Sequence, residues 1–367
     1  MKKNMFIGQF VSKNESILDK RISQAGNNYQ LKFLEMFNPS VAISIYPIFL
    51  RGKQKDNLDN IQFVNNQSIF PFFLNKIYRF FFDTIQVLFL IKKAKTKNVF
   101  FYNIDKQNFL IIFLSKFLLN TKTFIVLADY SYFLNESWFD KFCNFMIKNV
   151  NGLLVLNSNI KLNKNQKTLP GLIKLDQVIN KHKSGINKNI IFSGSLGYTT
   201  GLEVVLDAFS KRSDYNLFIT GRPYNLSDSE FNKLILSYTK SFNNIKYLGL
   251  LNYDGYQEIL NTCDIALSLR NPLDIEHQYN FPSKILEYLS NSKIVISSLT
   301  YEDLPKEFLF STKFDSLSLL HALDEIFKLE NSFIMELKFN ISKYIEDQFT
   351  EAALKKITNN LTENHVN

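Results

Sequence analysis

The chain has 367 residues, a net charge of +9 and 46% apolar residues, with 12 glycines, 8 prolines and 2 cysteines. That length exceeds one ordinary domain and supplies two sizeable cores, while scarce glycine and proline exclude collagen-like or disordered character. Cys143 and Cys263 are too few for a disulfide framework; both sit in apolar runs and read as buried thiols in a reducing compartment.

In chain order, Asn4–Val11 reads as a strand, followed by Gly26, Asn27 and Asn28 ahead of a helix over 29–36. Val41–Tyr46 is a strand, and residues 51–68 are polar loop material. Pro71 opens a long amphipathic helix to about Lys95. Strands over 98–102, 123–128 and 152–156 then alternate with helices over 108–119 and 138–148. Short β-rich runs between helices argue for a parallel α/β sheet. Periodicity weakens over 157–188, which places a domain boundary near 170–185. Beyond it, strands over 189–193, 215–220, 245–248, 264–269 and 293–297 alternate with helices over 202–209, 227–238, 256–261 and 283–289. A final amphipathic helix spans 342–356. The expected organisation is a first domain over 1–172, a second over 186–340, and a C-terminal helix and tail over 341–367 that could pack back toward the first.

Charge divides the chain. Residues 1–172 hold 23 Lys and Arg against 10 Asp and Glu; residues 173–367 hold 20 against 24. The basic half suits an anionic membrane surface, a phosphate-bearing acceptor or nucleic acid, and equally a solvated lysine face. Nucleic acid is disfavoured, because the basic residues are not interleaved into an evident aromatic platform. The apolar run after Lys2 and Lys3 is too short for a secretory signal. The segment 69–91 carries Lys76, Arg79, Asp83 and Gln86, which are costly in a lipid core. A cytoplasmic location is expected, with a peripheral position on the inner face of the cell membrane left open.

Ligands of doubly wound sheets bind beyond the carboxyl ends of the strands. That edge of the second half carries Gly194, Gly221, Gly249 and Arg270. The segment from Tyr279 to Ser298 adds a helix start at Ser283, whose free N–H groups and positive dipole end suit phosphate oxygens. Lys284 puts a point charge at the same place, and Glu287, one turn on, can accept bonds from two vicinal sugar hydroxyls. The layout suits a nucleoside diphosphate; a surface helix with both side chains solvated is the alternative. The four histidines have no ligand spacing, and no Walker loop or paired acidic metal motif appears, so no metal is called for.

The string FPSKILEYLSNSKIVISS, residues 281–298, resembles the donor-binding segment of retaining GT-B glycosyltransferases of the group 1, or family 4, type used in surface-polysaccharide and lipopolysaccharide synthesis. IFSGSLGYTTGLEVVLDAFS resembles their first donor-domain βα unit, LFITGRP the second strand and its glycine loop, and IKYLGLLNYDGYQEILNTCDIALSLRN the segment that reads the base. These cover about 189–300 in the family's order; the first half resembles it only in layout.

The resemblance implies two Rossmann-like domains facing across a cleft. It implies a nucleoside-diphosphate sugar as donor substrate with no separate cofactor, and a glycan or lipid-linked hydroxyl as acceptor. Glu287 would bind the ribose, and Ser283 and Lys284 the diphosphate. Gly194, Ser195, Gly221, Arg222, Leu248, Arg270, Asn280, Phe281 and Pro282 complete the donor site. The family's first glutamate falls at Tyr279, with Glu276 nearby, so the transferred sugar stays open. Its phosphate-binding arginine and lysine fall near Leu196 and Thr200; Arg222, Arg270 and Lys284 are the available replacements. Asp129 stands where a sugar-contacting group is common, and could instead cap its turn. The catalytic set is thus Lys284, Arg222 and Asp129. A nucleotide-sugar epimerase of similar architecture and a degenerate, non-catalytic transferase remain alternatives.

Overall fold

The computed structural model describes residues 4–12, 15–16, 21–45, 61–64, 72–119, 121–130, 137–175, 185–274, 276–279 and 283–363. They form two compact units: residues 1–172 with 351–367, and residues 173–350.

The first unit holds a seven-stranded sheet in the order β3-β2-β1-β4-β5-β6-β7, from β1 (Asn4–Gly8), β2 (Val41–Ile45), β3 (Ile61–Val64), β4 (Asn98–Tyr102), β5 (Lys122–Leu127), β6 (Gly152–Val155) and β7 (Gln166–Thr168). Every pairing is parallel. Its helices are α1 (Gln24–Phe37), α2 (Phe72–Ala94), α3 (Phe109–Phe117) and α4 (Trp138–Asn149). The core is aromatic: Phe6, Phe33, Phe100 and Phe124 are fully buried, and Phe100 stacks on Phe124 at 4.8 Å and meets Phe37 edge-on at 4.8 Å.

The second unit repeats the winding with a six-stranded parallel sheet, β10-β9-β8-β11-β12-β13. Its strands are β8 (Asn189–Leu196), β9 (Asn216–Pro223), β10 (Ile245–Tyr247), β11 (Ile265–Ser268), β12 (Ile294–Ser297) and β13 (Leu309–Ser311). Its helices are α5 (Leu202–Ser210), α6 (Asp228–Ser241), α7 (Tyr253–Thr262), α8 (Glu276–Tyr279), α9 (Ser283–Ser290), α10 (Ser316–Phe327) and α11 (Asn331–Phe349). Here the core is largely aliphatic, with Ile190, Val205, Leu217, Ile219, Ile265 and Ile296 among its buried members. In each sheet the order reverses beside the first strand, between β1 and β4 and between β8 and β11, which opens a crevice at the carboxyl ends.

Several expectations need correction. Gly26, Asn27 and Asn28 do not precede α1 but form its first turns: the Ser23 hydroxyl caps the helix by accepting from Gly26 N, and the Asn27 amide both accepts from Val11 N (2.9 Å) and donates to Val11 O (3.1 Å). The loop expected over 51–68 contains the edge strand β3, and β7 and β13 are further short strands. Strands β8 and β9 do not stop at their glycines but pair onward through Gly194↔Gly221 and Ser195↔Arg222. The single helix expected over 342–356 is two, α11 and α12 (Glu351–Glu363), separated by an extended Thr350. α12 belongs to the first unit, where Asn165 Nδ2 donates to Leu361 O (2.9 Å).

Candidate active site

The carboxyl edge of the second sheet gathers most of the expected residues. Gly194 (φ +119°) and Gly221 (φ +145°) face each other in register; a Cβ on Gly221 would stand 1.9 Å from the Gly194 carbonyl oxygen. Glycine at Gly221 is therefore what lets two strands run on side by side past the end of the regular sheet. Gly221 N donates to Gly249 O (3.0 Å) and Thr220 Oγ1 to the same oxygen (2.7 Å); Leu248 N donates to Ile219 O (2.8 Å). These bonds fasten the Leu248–Gly249 turn to β9.

α9 begins at Ser283, which is exposed, and lays Lys284 against this edge: a Cβ on Gly194 would meet Lys284 Cγ at 3.8 Å. Lys284 Nζ sits 4.1 Å from the centroid of the Tyr256 ring and 2.6 Å from Glu287 Oε2. The two side chains expected to share a ligand thus pair with each other, one helical turn apart. Both are about one-third exposed, so the pair is worth no more than about 1 kcal/mol and opens at small cost.

Behind the pair lies a phenolic layer. Tyr288 is fully buried, and its hydroxyl is 2.8 Å from Ser193 Oγ, which is 3.4 Å from the Tyr256 hydroxyl. Burial holds both phenols above their ordinary pKa, and the Glu287 carboxylate adds to the rise at Tyr256. They stay neutral hydrogen-bonding groups that fix the floor under Lys284.

Arg270 follows β11, the strand across the switch point. Its backbone N donates to Ser298 Oγ (2.7 Å), which donates back to Arg270 O (2.6 Å). Its Nη1 lies 3.4 Å from His277 Nε2, while His277 Nδ1 faces Asn271 O at 3.2 Å. Desolvation lowers the guanidinium pKa, yet it remains charged at any working pH. Ser195 is exposed and Arg222 half-buried, partners at the far end of the β8–β9 pairing. Asn280, Phe281 and Pro282 lie outside the described residues.

The turn after β8 shows what stands where the basic pair is expected. The Thr200 hydroxyl accepts from Gly197 N (2.8 Å) and donates toward Ser195 O (2.8 Å), closing a tight turn in front of α5. Thr200 is buried, so this position holds the loop rather than presenting a charge to a ligand.

Asp129 is in the first unit, past β5, and Lys284 is in the second. Asn103 Nδ2 donates to its Oδ2 (3.1 Å); the side chain keeps an exposed surface, while desolvation by the protein around it lifts its carboxyl above the usual value. Near it, Gln9 Nε2 donates to Asp105 Oδ2 (2.8 Å), Gln9 N donates to Gln30 Oε1 (3.0 Å), and burial raises Asp105 as well. Tyr256, Ser193, Gln9, Gln30 and Asp105 escape a reading of the sequence. The one signal for Ser193 is a hydroxyl in an otherwise apolar strand. Among the described residues no group of three or more His, Cys, Asp and Glu could hold a metal ion. No described helix is long and apolar enough to cross a membrane.

Residues 176–307 match the family model for glycosyl transferases group 1, a span that contains Gly194, Gly221, Arg270, Lys284 and Glu287. No curated protein matches the sequence. Among solved structures, sucrose-phosphate synthase from Thermosynechococcus elongatus aligns with a TM-score of 0.70 at 10% identity, covering 99% of this chain and 98% of that one. HepE from Anabaena, in complex with UDP, aligns at 0.69 and 12% identity, covering 98% and 99%. The lipopolysaccharide outer core galactosyltransferase WaaB aligns at 0.63 and 13% identity, covering 99% and 100%. At such identities the likeness is one of fold, the two parallel-sheet Rossmann-like domains of GT-B glycosyltransferases. The family match falls within the unit that carries Lys284 and Glu287.

Proposed function

We propose that the chain moves a hexose from a nucleoside-diphosphate sugar to a hydroxyl of a glycan or lipid-linked acceptor, with retention of configuration, in cell-surface polysaccharide synthesis. The observation that carries this reading is the juxtaposition of Lys284 and Glu287, at the start of α9, with the glycine-bared strand ends at Gly194 and Gly221. A diphosphate entering there displaces Glu287 from Lys284, gains that ammonium and the N–H groups of the α9 start, and frees Glu287 to accept from ribose hydroxyls. Charge that builds on the leaving diphosphate as the glycosidic bond breaks falls to Lys284, Arg222 and the helix start.

UDP is the first candidate nucleotide, because HepE was solved with UDP and with UDP-glucose; the galactosyltransferase WaaB makes a galactose donor the natural second trial. Asp129, with Asn103, is assigned to the acceptor side as an acceptor of hydroxyl protons or a positioning group. Incubation of the full chain with labelled UDP-glucose or UDP-galactose and extracted lipid and glycan acceptors should give a labelled acceptor and free UDP. Lys284→Ala should lower that transfer at least a hundredfold. Interconversion of the sugar without an acceptor product would identify an epimerase, and turnover unchanged by Lys284→Ala would remove the phosphate role.

A further inference from the structure

The second helix of the first unit wears its apolar face outward. On α2, Ile77, Phe81, Phe82, Ile85 and Phe89 are between 42% and 65% exposed. At 100° per residue they fall in one arc of about 140°. The opposite side carries Asp83, Thr84, Val87 and Ile91, all buried. The outward face thus carries large apolar side chains where an ordinary solvent-facing helix carries charge.

Among the described residues of α2, α3 and α4, the exposed charges have one sign. Lys93 continues the row of Phe81, Ile85 and Phe89, and Lys92 lies within the same arc; both are exposed. Ring contacts Phe80–Phe109, Phe109–Phe142 and Trp138–Phe142 tie α2 through α3 to α4, which presents Trp138, 76% exposed, with exposed Lys141 and Lys148. The acids of these three helices are Asp83 and Asp140, and both are buried.

We propose that this face is a docking surface for an anionic lipid membrane, on which α2 lies in the interface without crossing it. Phenylalanine and isoleucine side chains enter the headgroup–acyl boundary, an exposed tryptophan suits that depth, and lysines meet anionic headgroups. A helix of 23 residues gives a footprint of about 35 Å along the bilayer. The inference is independent of the sugar-transfer reading, since no residue of the Lys284 site takes part.

Co-sedimentation of the full chain with phosphatidylcholine vesicles, with and without phosphatidylglycerol, tests it. Binding should need the anionic lipid and weaken as salt rises. The triple substitution Phe81→Ser, Ile85→Ser, Phe89→Ser should weaken binding more than tenfold. Lys92→Ala with Lys93→Ala should weaken it about thirtyfold, from about 1 kcal/mol for each lysine near a charged surface. Melting temperatures of both variants should match the wild type, and the lysine pair keeps the test valid should the triple variant misfold. Absent binding of the wild type to anionic vesicles, or full binding by the lysine variant, overturns the proposal. So does a dimer in sedimentation velocity that the triple substitution dissolves, which would make a second copy the occupant.

Discussion

The two sheets share one winding and end in opposite chemistry. At the carboxyl edge of the first, the groups are amides and carboxyls: Gln9, Gln30, Asn103, Asp105 and Asp129. At the edge of the second they are Lys284, Arg222 and Arg270, with Glu287 paired to Lys284, over a floor of neutral phenols. Whole-chain charge runs the other way, since the basic excess lies in residues 1–172. Net charge therefore describes the outside of each unit, and the strand ends describe its ligand. A largely cationic edge beside a helix start suits a diphosphate; an edge of amides and carboxyls suits hydroxyls.

The largest effect that tests this contrast concerns glycine. Gly221→Ala puts a methyl on the Gly194 backbone, at a φ that L-residues avoid, and should cost about 3 kcal/mol or more in chemical denaturation. Gly8→Ala, at the end of β1 in the first unit, meets side chains instead: the Gln30 amide oxygen and the Phe6 and Phe10 rings. That Gln30 side chain can yield without moving backbone, but only by giving up the bond from Gln9 N and straining the two that its Nε2 donates to Gln9 O and Gly26 O, at about 2 kcal/mol. Equal costs at the two positions would break the distinction between a backbone-tight and a side-chain-lined edge.

Next is Glu287→Ala, which should weaken nucleoside-diphosphate binding about tenfold, the cost of a charge-assisted bond to the ribose. Calorimetry with UDP and with inorganic pyrophosphate separates the roles: pyrophosphate affinity should hold or rise, because Lys284 loses its internal partner. Asp129→Asn sharpens the first unit. The raised Asp129 carboxyl binds its proton more tightly folded than unfolded, so its stabilisation is full below the usual 3.8 and lost as pH rises through the raised value. Wild type should thus lose stability relative to Asp129→Asn between about pH 4 and neutrality, read by denaturant titration at each pH; no change in the difference would remove the desolvation argument. The smallest effects are the helix caps. Ser227→Ala breaks the capping box of α6, where Ser227 and Glu230 hydrogen-bond reciprocally, and Ser23→Ala removes the simpler cap of α1. Each should cost about 1 kcal/mol, with the capping box costing more by hydrogen exchange of its first turn.

The winding of both units, and the Lys284–Glu287 segment, are legible in the sequence because each strand and helix there carries its own apolar period and its own start signal. What escapes depends on partners distant in the chain. Nothing in GSL or TGRP says that β8 and β9 continue; the absent Cβ of Gly221 matters only because Gly194 lies opposite. The break at Thr350 is hidden because Ile345, Phe349 and Ala353 keep a four-residue spacing across it, although α11 buries its face in the second unit and α12 in the first. The ion pair between Lys284 and Glu287 follows from i, i+3 spacing, but the Tyr256 ring that holds the ammonium comes from another helix. Asp129 is legible only as an acid after a strand; the partial desolvation that raises its carboxyl and its hydrogen bond from Asn103 are features of tertiary packing.

The central claim is that Lys284 and Glu287 open to hold a nucleoside diphosphate. Calorimetric titration of UDP into the full wild-type chain and into Lys284→Ala tests it most directly. The account predicts saturable binding to the wild type and at least a tenfold loss in the folded variant. Equal affinities for the two proteins, or no heat of binding from the wild type with any nucleoside diphosphate, would contradict it.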